Sequence, residues 1–300
     1  YGLSLLKCLI KCHSILRKYK FDIIHVHTPI LSFIPKVLGY KFVRTRHSLD
    51  KYLPFYDARA SKEIAISLEV KNILLSRFKY NDDEIYLINN GVSKNKYSIK
   101  YNVDQVLKFK DELGIDNHKI ILGMVGTFEY NKGHDIFIEA LSLLNRNFKE
   151  MIEVIFVGSS DSDSLFRINN LVKEKKIDNI VKIYSFQSLE RIYSVIDIMV
   201  LPSRIEAFML VAIEAMMMGC CVIRSGTGGA SEQIVHGQSG FIFENGNVNQ
   251  LVQYLEYLIQ NPSEIQSMSK AGQKNALEKF TSEIMAKKTL DVYTHLLETR

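Results

Sequence analysis

The alternation of short apolar segments with longer amphipathic ones, regular from residue 119 onward, constrains the fold more than any other feature of the sequence. The apolar segments 120–125 and 195–201 have the length of strands that are buried on both faces of a sheet. Each apolar segment is followed by residues with helical periodicity. Because parallel strands need crossover helices, the pattern predicts an α/β fold with a doubly wound parallel sheet.

Length and charge predict that this sheet is one of two domains. The chain has 300 residues, more than one typical domain. Residues 1–110 carry 20 Lys and Arg against 9 Asp and Glu, whereas the remaining residues carry 18 against 24. A further strand-like segment at 22–27 indicates a first α/β domain, and residues 93–102 are predicted to be a linker. We therefore expect domains over residues 1–100 and 101–282.

The basic first part of the chain predicts an anionic partner. Anionic lipid headgroups and an anionic acceptor both fit, and a solvated basic surface is the alternative. Nucleic acid is not expected as a partner, because no recognition motif accompanies the charge. Residues 1–20 are predicted to form a basic amphipathic helix that either lies on a membrane surface or packs on a sheet, and packing is the commoner outcome.

Composition also bears on the protein's location. No apolar run reaches the ~18 residues of a membrane span, and we expect no signal peptide. The four cysteines stand in two close pairs that do not form a disulfide framework, which favours a reducing cytoplasm. We expect a cytoplasmic protein that makes peripheral contact with the anionic inner face of the plasma membrane.

The stretch 202–232 contains the strongest candidate for a binding site. Glu206 and Glu214 stand eight positions apart around an apolar run that is typical of a buried helix. On one continuous helix the two carboxylates would lie on neighbouring faces, about 12 Å apart along the axis. If Glu206 instead precedes the helix, it lies beside the free N–H groups of the helix N-terminus, where anionic ligands are favoured. A core helix with two solvated Glu is the alternative.

Three further loops follow predicted strands, which is where doubly wound sheets bind ligands. The loop 126–133 begins with Gly126, which lets the backbone turn. In the same loop Lys132 is predicted to open a helix and to offer a cation to a diphosphate, and a solvated surface Lys is the alternative. A turn of small residues follows at 158–160. The next loop contains Phe186, whose ring could stack on a base.

Together these loops resemble those of the retaining glycosyltransferases of family 4. The resemblance covers nearly the whole chain and rests on eight segments in the family's order and spacing, DIIHVHTP, TRH, INNGV, VGTFEYNKG, VIFVG, IDIMVLPS, EAFMLVAIEAMMMGCCVI and GGASEQIVHGQSGFIF. It implies the GT-B fold, in which two Rossmann-like domains face each other across a cleft. It also implies an incomplete first domain, whose first strand and glycine-rich acceptor loop would precede Tyr1.

The same architecture implies a role for the end of the chain. A last helix within residues 283–300 would cross back onto the first domain, where Tyr293 and Leu297 would pack. A helix that caps the second domain is the alternative.

The resemblance implies a nucleoside diphosphate sugar as donor, with UDP or GDP, and no metal or other cofactor. Glu206 would bind hydroxyls of the donor sugar, Glu214 would accept from the ribose hydroxyls, and Lys132 would neutralise the leaving diphosphate. His47 would lie near the transferred carbon, so that the catalytic residues are Glu206, His47 and Lys132. The other donor-binding positions are Gly126, Thr127, Phe186 and the backbone segment Ala207, Phe208, Met209 and Leu210.

The sequence departs from the family pattern at several positions. Thr127 stands where the family has Arg, so one cation for the diphosphate is absent, and Arg204, Lys132 or the other domain would have to compensate. Ala207 and Met209 replace two glycines, which narrows the room for the backbone to approach a ligand. Two prolines of the family are replaced, at Cys221 and Asn89.

The sequence therefore predicts a glycosyltransferase of the hexosyltransferase type. It would move a sugar, with retention of configuration, from a nucleoside diphosphate to a lipid-linked or polysaccharide acceptor in cell-envelope glycan synthesis. The departures favour a second interpretation, a catalytically silent nucleotide-sugar-binding partner of another transferase. A third is a sugar-nucleotide epimerase of the same fold, which needs no acceptor.

Overall fold

The computed structural model describes residues 2–49, 57–159, 161–186 and 188–298, which divide into two compact units. The first unit comprises Tyr1–Asn90 and Glu283–Arg300, and the second comprises Gly91–Ser282. This division falls before the domain boundary expected at residue 100. Both units contain parallel strands connected by helices, so the predicted α/β class is confirmed.

The first unit contains, in its described residues, a parallel sheet with the strand order β1-β2-β3-β4. Its strands are β1 (His25–Val26), β2 (Val43–Arg46), β3 (Lys62–Ala65) and β4 (Ile85–Leu87). Its helices, numbered along the whole chain, are α1 (Gly2–Lys18), α2 (Pro29–Val37), α3 (Leu68–Ser76) and α14 (Ser282–Glu298), with a 3-10 turn at Asp82–Glu84. The carboxyl ends of β1 and β2 therefore lie side by side.

Helix α14 packs on the sheet of the first unit. Val292 and Leu296 are buried against apolar side chains from the sheet, and the hydroxyl of Tyr293 lies 2.7 Å from Nδ1 of His25. Leu297, which the sequence placed in this contact, is 39% exposed. The reason is rotational, since each residue turns about 100° around a helix and Leu297 points past the face that Leu296 buries.

The second unit is a doubly wound parallel sheet with the strand order β10-β9-β8-β5-β6-β7 in its described residues. Its strands are β5 (Ile120–Val125), β6 (Ile152–Val157), β7 (Val181–Tyr184), β8 (Ile198–Leu201), β9 (Cys221–Ser225) and β10 (Phe241–Phe243). Its helices are α4 (Lys94–Tyr97), α5 (Val103–Glu112), α6 (His134–Leu143), α7 (Arg146–Met151), α8 (Ser162–Glu174), α9 (Leu189–Val195), α10 (Leu210–Met217), α11 (Ala230–Gln233), α12 (Val248–Gln260) and α13 (Pro262–Lys279). The doubly wound parallel sheet that the alternation of segments predicted is therefore present.

The strand order reverses between β5 and β8. The chain runs outward from β5 through β6 to β7, then returns to β8 and runs outward through β9 to β10. At such a reversal the two crossover connections leave on opposite faces of the sheet, which opens a crevice at the carboxyl ends of the two central strands. The loops that follow β5 and β8 therefore line the candidate site.

The segment predicted to be a linker contains ordered structure. Residues Lys94–Tyr97 form the short helix α4, and the side chain of Tyr97 is only 6% exposed. Its ring packs edge-on against Tyr193 of α9, with 5.9 Å between the ring centroids. The linker prediction is therefore wrong for this part of the segment, because one buried aromatic side chain anchors it to the second unit.

We predict that Leu296→Ala destabilises the first unit by about 2–5 kcal/mol, because it leaves a cavity under α14. Leu297→Ala is the matched control on the same helix turn and should change the free energy of unfolding by less than about 0.5 kcal/mol. Urea unfolding measures both effects, and hydrogen exchange of the β2 amides assigns them to the first unit. Equal effects of the two substitutions would contradict the packing described for α14.

Candidate active site

The loop after β5 brings Lys132 to the carboxyl end of the sheet. The N–H of Gly126 donates to the carbonyl of Val157 at 3.0 Å, which turns the chain out of the strand. Lys132 does not open a helix as predicted; it ends a 3-10 turn, Tyr130–Lys132, and α6 begins only after Gly133. Gly133 has φ 78°, and an added Cβ would collide with the carbonyl oxygen of Pro202. Glycine at this position thus lets the loops after β5 and β8 touch.

Lys132 and Glu206 form an ion pair across these two loops. Lys132 Nζ lies 2.6 Å from Glu206 Oε1, and the two side chains are 34% and 15% exposed. Glu206 lies in the loop before α10, which begins at Leu210 and not at Phe208, where the apolar run predicts the helix to start. The structure therefore selects the second of the two sequence alternatives, in which Glu206 precedes the helix. Two of the predicted catalytic residues are brought together.

The backbone from Ala207 to Leu210 forms the N-terminus of α10. The side chains of Phe208 and Met209 are buried, at 6% and 4% exposure, and the ring of Phe208 packs edge-on against Phe280 at 5.8 Å. Only their backbone can face a ligand, as the sequence analysis expected of this segment. The N–H groups of a first helical turn have no partner within the helix, so they can bind an anion.

Arg224 was not predicted as a site residue. Its side chain holds the glycine turn that follows β9. Its guanidinium is fully buried and donates to the carbonyl oxygens of Thr227 and Gly228, at 2.5 and 3.1 Å, and to the Gln233 side chain. Burial lowers the pKa of Arg224 to about 10, against the opposing influence of Glu206. A Cβ at Gly228 would collide with the Glu206 carbonyl oxygen. The signal in the sequence was an arginine ending the apolar run CCVI.

Arg204, one of the residues expected to compensate for Thr127, is paired with another side chain in the free site. Its guanidinium binds Asp135 through two hydrogen bonds of 2.9 and 2.6 Å and also donates to the carbonyl of Tyr130 at 2.8 Å. Its backbone N–H donates to the carbonyl of Asn131. All of these contacts are to the segment that follows β5, whereas Arg204 itself lies in the loop after β8. Arg204 therefore ties together the loops that carry Lys132 and Glu206.

Glu214 lies one turn into α10, apart from the Lys132–Glu206 pair. The hydroxyl of Tyr193 donates to Glu214 Oε2 at 2.6 Å. Burial raises the pKa of Glu214, and the hydrogen bond from Tyr193 and the charge of Lys96 act in the opposite direction. Phe186, in the loop before α9, is 46% exposed. The predicted loop residues Gln187 and Ser160 lie outside the described residues.

His47 follows directly after β2, in the first unit. Its Nε2 lies 2.9 Å from Nδ1 of His27, and burial, followed by the charge of His27, lowers its pKa. His25 lies 4.3 Å from His27 ring to ring and 2.8 Å from the Thr45 hydroxyl. Burial lowers the pKa of His25 to about 4, so this ring is neutral at neutral pH. His25 and His27 were missed; their His-x-His spacing at a strand end was the available signal.

Two negative findings apply to the described part of the chain. There, no three or more His, Cys, Asp or Glu side chains are grouped so that they could hold a metal ion. Nor does any helix in those ranges have both the length and the apolar character needed to cross a membrane.

The sequence profiles of two protein families match the chain. The family described as Glycosyl transferases group 1 matches residues 105–275, and Glycosyltransferase Family 4 matches residues 2–96. The chain therefore belongs to the group 1 glycosyl transferases, and the protein is a glycosyltransferase. The predicted family is confirmed.

Two relatives illustrate this membership. A glycosyltransferase of Methanocaldococcus jannaschii is 25% identical, over 93% of this chain and 76% of its own length. The capsular polysaccharide biosynthesis glycosyltransferase CapM of Staphylococcus aureus is 23% identical, over 80% of this chain and 63% of its own length.

Solved structures identify the fold. A glycosyltransferase from Rickettsia africae superposes with a TM-score of 0.88 and 24% identity, over 100% of this chain and 83% of that one. HepE of Anabaena, solved in complex with UDP-glucose, has a TM-score of 0.82 and 20% identity, over 97% and 82% of the two chains. The fold is of the GT-B type, as the sequence predicted.

The family resemblance implies that Lys132 neutralises the leaving diphosphate, so we predict that Lys132→Ala lowers the turnover of a nucleotide sugar by about 10²–10³-fold. The control is Lys175→Ala, which breaks another partly exposed ion pair of the same unit, with Glu139, and should leave turnover within about twofold. Steady-state kinetics with a saturating acceptor measure both. A loss of turnover in both variants would mean that the effect of Lys132 is only structural.

The raised pKa of Glu214 predicts a pH dependence of donor binding. Its carboxylate accepts hydroxyl hydrogen bonds fully only when ionised, so affinity should fall as pH decreases through a value above that of an ordinary Glu. A UDP-sugar should be used, because it lacks the terminal phosphate proton that titrates near pH ~6. Calorimetry from pH 8 to 5 should show this decline in the unaltered protein and not in Glu214→Gln, and identical profiles would contradict it.

Proposed function

We propose that the protein transfers a sugar from a nucleoside diphosphate, UDP or GDP, to a lipid-linked or polysaccharide acceptor in cell-envelope glycan synthesis. The observation that carries the proposal is the Lys132–Glu206 pair beside the N-terminus of α10, at the reversal of strand order. A cation, a carboxylate and a helix N-terminus at one point suit a ligand that joins a diphosphate to a hydroxylated sugar. The UDP-glucose complex of HepE supports a UDP-sugar as the first donor to test.

The chemistry requires charge stabilisation at the leaving group. Breaking the anomeric C–O bond leaves positive charge on the sugar and negative charge on the diphosphate. Lys132 and the N–H groups at the start of α10 stabilise that negative charge, and because they are held before the reaction they need little reorganisation. Glu206 then exchanges its bond to Lys132 for hydroxyls of the donor sugar.

The sugar is transferred with retention of its anomeric configuration. In this mechanism the acceptor attacks the face from which the diphosphate departs, so no protein nucleophile is required. The departing diphosphate can take the acceptor's proton. The family resemblance implies a role near the transferred carbon for His47, whose Nε2 lies 2.9 Å from Nδ1 of His27.

The acceptor is proposed from two weaker observations. CapM is named for capsular polysaccharide biosynthesis. Helix α1 of this chain has Leu6 and Ile10 exposed, at 57% and 60%, near Lys7 and Lys11. Apolar side chains flanked by lysines suit a surface of anionic lipid. We infer that a lipid-linked acceptor meets the protein at the inner face of the plasma membrane.

A silent nucleotide-sugar-binding partner of another transferase is the second candidate. The observation that favours it is the position of Thr127, where no arginine stands, together with the commitment of Arg204 to Asp135. A protein of this kind would bind the donor and fail to transfer the sugar.

We predict that the full-length protein transfers sugar from a UDP- or GDP-sugar and that the product keeps the donor's anomeric configuration, as read by proton NMR. Glu206→Gln should lower turnover by at least ~10²-fold, because the amide replaces a charged acceptor of sugar hydroxyl hydrogen bonds. Donor binding without transfer would favour the silent partner, and an altered sugar without acceptor would indicate an epimerase. If the protein bound none of a series of UDP- and GDP-sugars, the proposed function would be refuted.

A further inference from the structure

We propose that Tyr193 and Tyr97 are positioning residues that hold the Glu214 carboxylate so that the donor site selects a nucleotide with both ribose hydroxyls. This inference rests on the proposed function, because it assumes that Glu214 meets the ribose. It assigns a role to two residues from elements outside the loops already described. One of them, Tyr97, lies in the segment that the sequence predicted to be a linker.

The contacts of Tyr193 fix its hydroxyl in one place. Tyr193 lies on α9 and is 1% exposed, and its hydroxyl is 2.6 Å from Glu214 Oε2. Tyr97 of α4 packs edge-on against its ring. The backbone carbonyl of Tyr193 also accepts from the thiol of Cys220 at 3.3 Å. Because the ring is buried against Tyr97 and the backbone is hydrogen-bonded to Cys220, the hydroxyl of Tyr193 cannot move away without disturbing the core.

This hydrogen bond restricts how Glu214 can present its second oxygen. A glutamate side chain has three rotatable bonds and is otherwise free to populate several rotamers. Once Oε2 accepts from Tyr193, Oε1 and the remaining lone pairs have a defined direction. A pair of neighbouring hydroxyls, as in a ribose, requires such a defined pair of acceptors. The tyrosine therefore supplies orientation, and Glu214 supplies the contact.

Groups on α4 and α9 partly offset the effect of burial on the Glu214 carboxylate. Lys96 and Tyr97 face it from α4, and Glu190 and Tyr193 face it from α9. Lys96 lowers the pKa of Glu214, whereas Glu190, which lies 3.5 Å from Lys96, raises it. Burial remains the largest influence and raises the pKa. Removing the Tyr193 hydroxyl takes away a donor to the carboxylate, so it should favour the protonated acid, which accepts ribose hydroxyls poorly.

Tyr184, in the same unit, is a tyrosine whose hydroxyl has only a structural partner. The hydroxyl of Tyr184 donates to the backbone carbonyl of Leu113, also at 2.6 Å. A tyrosine that only needs a partner can thus be satisfied by the main chain. Tyr193 instead donates to the carboxylate that the family resemblance assigns to the ribose. Tyr184 is the matched control, because Tyr184→Phe loses a hydrogen bond of the same length at a carbonyl.

The test measures binding of UDP and GDP and of their 2′-deoxy analogues to the full chain by calorimetry at pH 8. The unaltered protein should bind one ribonucleotide at least ~10-fold more tightly than its 2′-deoxy form, as expected for a hydrogen bond to a charged group. Tyr193→Phe should reduce this ratio at least fivefold, with the 2′-deoxy affinity changed less than twofold. Tyr184→Phe should leave the ratio unchanged. If Tyr193→Phe fails to fold, Tyr97→Leu, which removes the ring that packs against Tyr193, must reduce the ratio in the same sense.

The double substitution Tyr193→Phe with Glu214→Gln separates positioning from general damage. Since both residues act through one contact, the tyrosine substitution should have no further effect once the carboxylate is gone. Nucleotide binding with an unchanged ratio in Tyr193→Phe, or equal losses for both nucleotide forms, would overturn the inference and leave the proposed function standing. If the unaltered protein binds none of these nucleotides, the inference and the proposed function both fail.

Discussion

The ion pair between Lys132 and Glu206 is the interaction on which the rest of the site depends. It joins two loops that are 74 residues apart in sequence, and it can form only because β5 and β8 are neighbours at the reversal of strand order. Two arginines set its geometry. Arg204 ties the loops to each other through Asp135, and buried Arg224 holds the glycine turn against the backbone of Glu206.

A paired lysine and carboxylate have consequences for a transferase of this family. In the free site the two charges neutralise each other, although both side chains are partly exposed to solvent. In the proposed mechanism, an incoming diphosphate competes with Glu206 for Lys132, and the donor sugar offers its hydroxyls to the carboxylate in exchange. The absent arginine at Thr127 makes this exchange more important, since Arg204 is committed to Asp135 and Lys132 is the cation that the loop presents.

The sequence was sufficient where the signal was local and insufficient where it depended on contacts between distant elements. Strand and helix alternation predicted the doubly wound parallel sheet, and the family resemblance of the ordered motifs pointed to Lys132 and Glu206 as site residues. The start of α10 was misplaced by two residues, because Phe208 and Met209 continue the apolar pattern although they are buried in the loop. The partnership of Tyr193 with Glu214 spans 21 residues and two helices, and no spacing rule reveals it.

A crystal structure of the protein with a bound UDP-sugar would show whether Lys132 changes its partner. We predict that Lys132 Nζ moves from Glu206 to a diphosphate oxygen, within ~3 Å as in other charge-assisted hydrogen bonds, while Glu206 accepts from a sugar hydroxyl. A nucleotide sugar bound elsewhere, with Lys132 still paired only to Glu206, would contradict it.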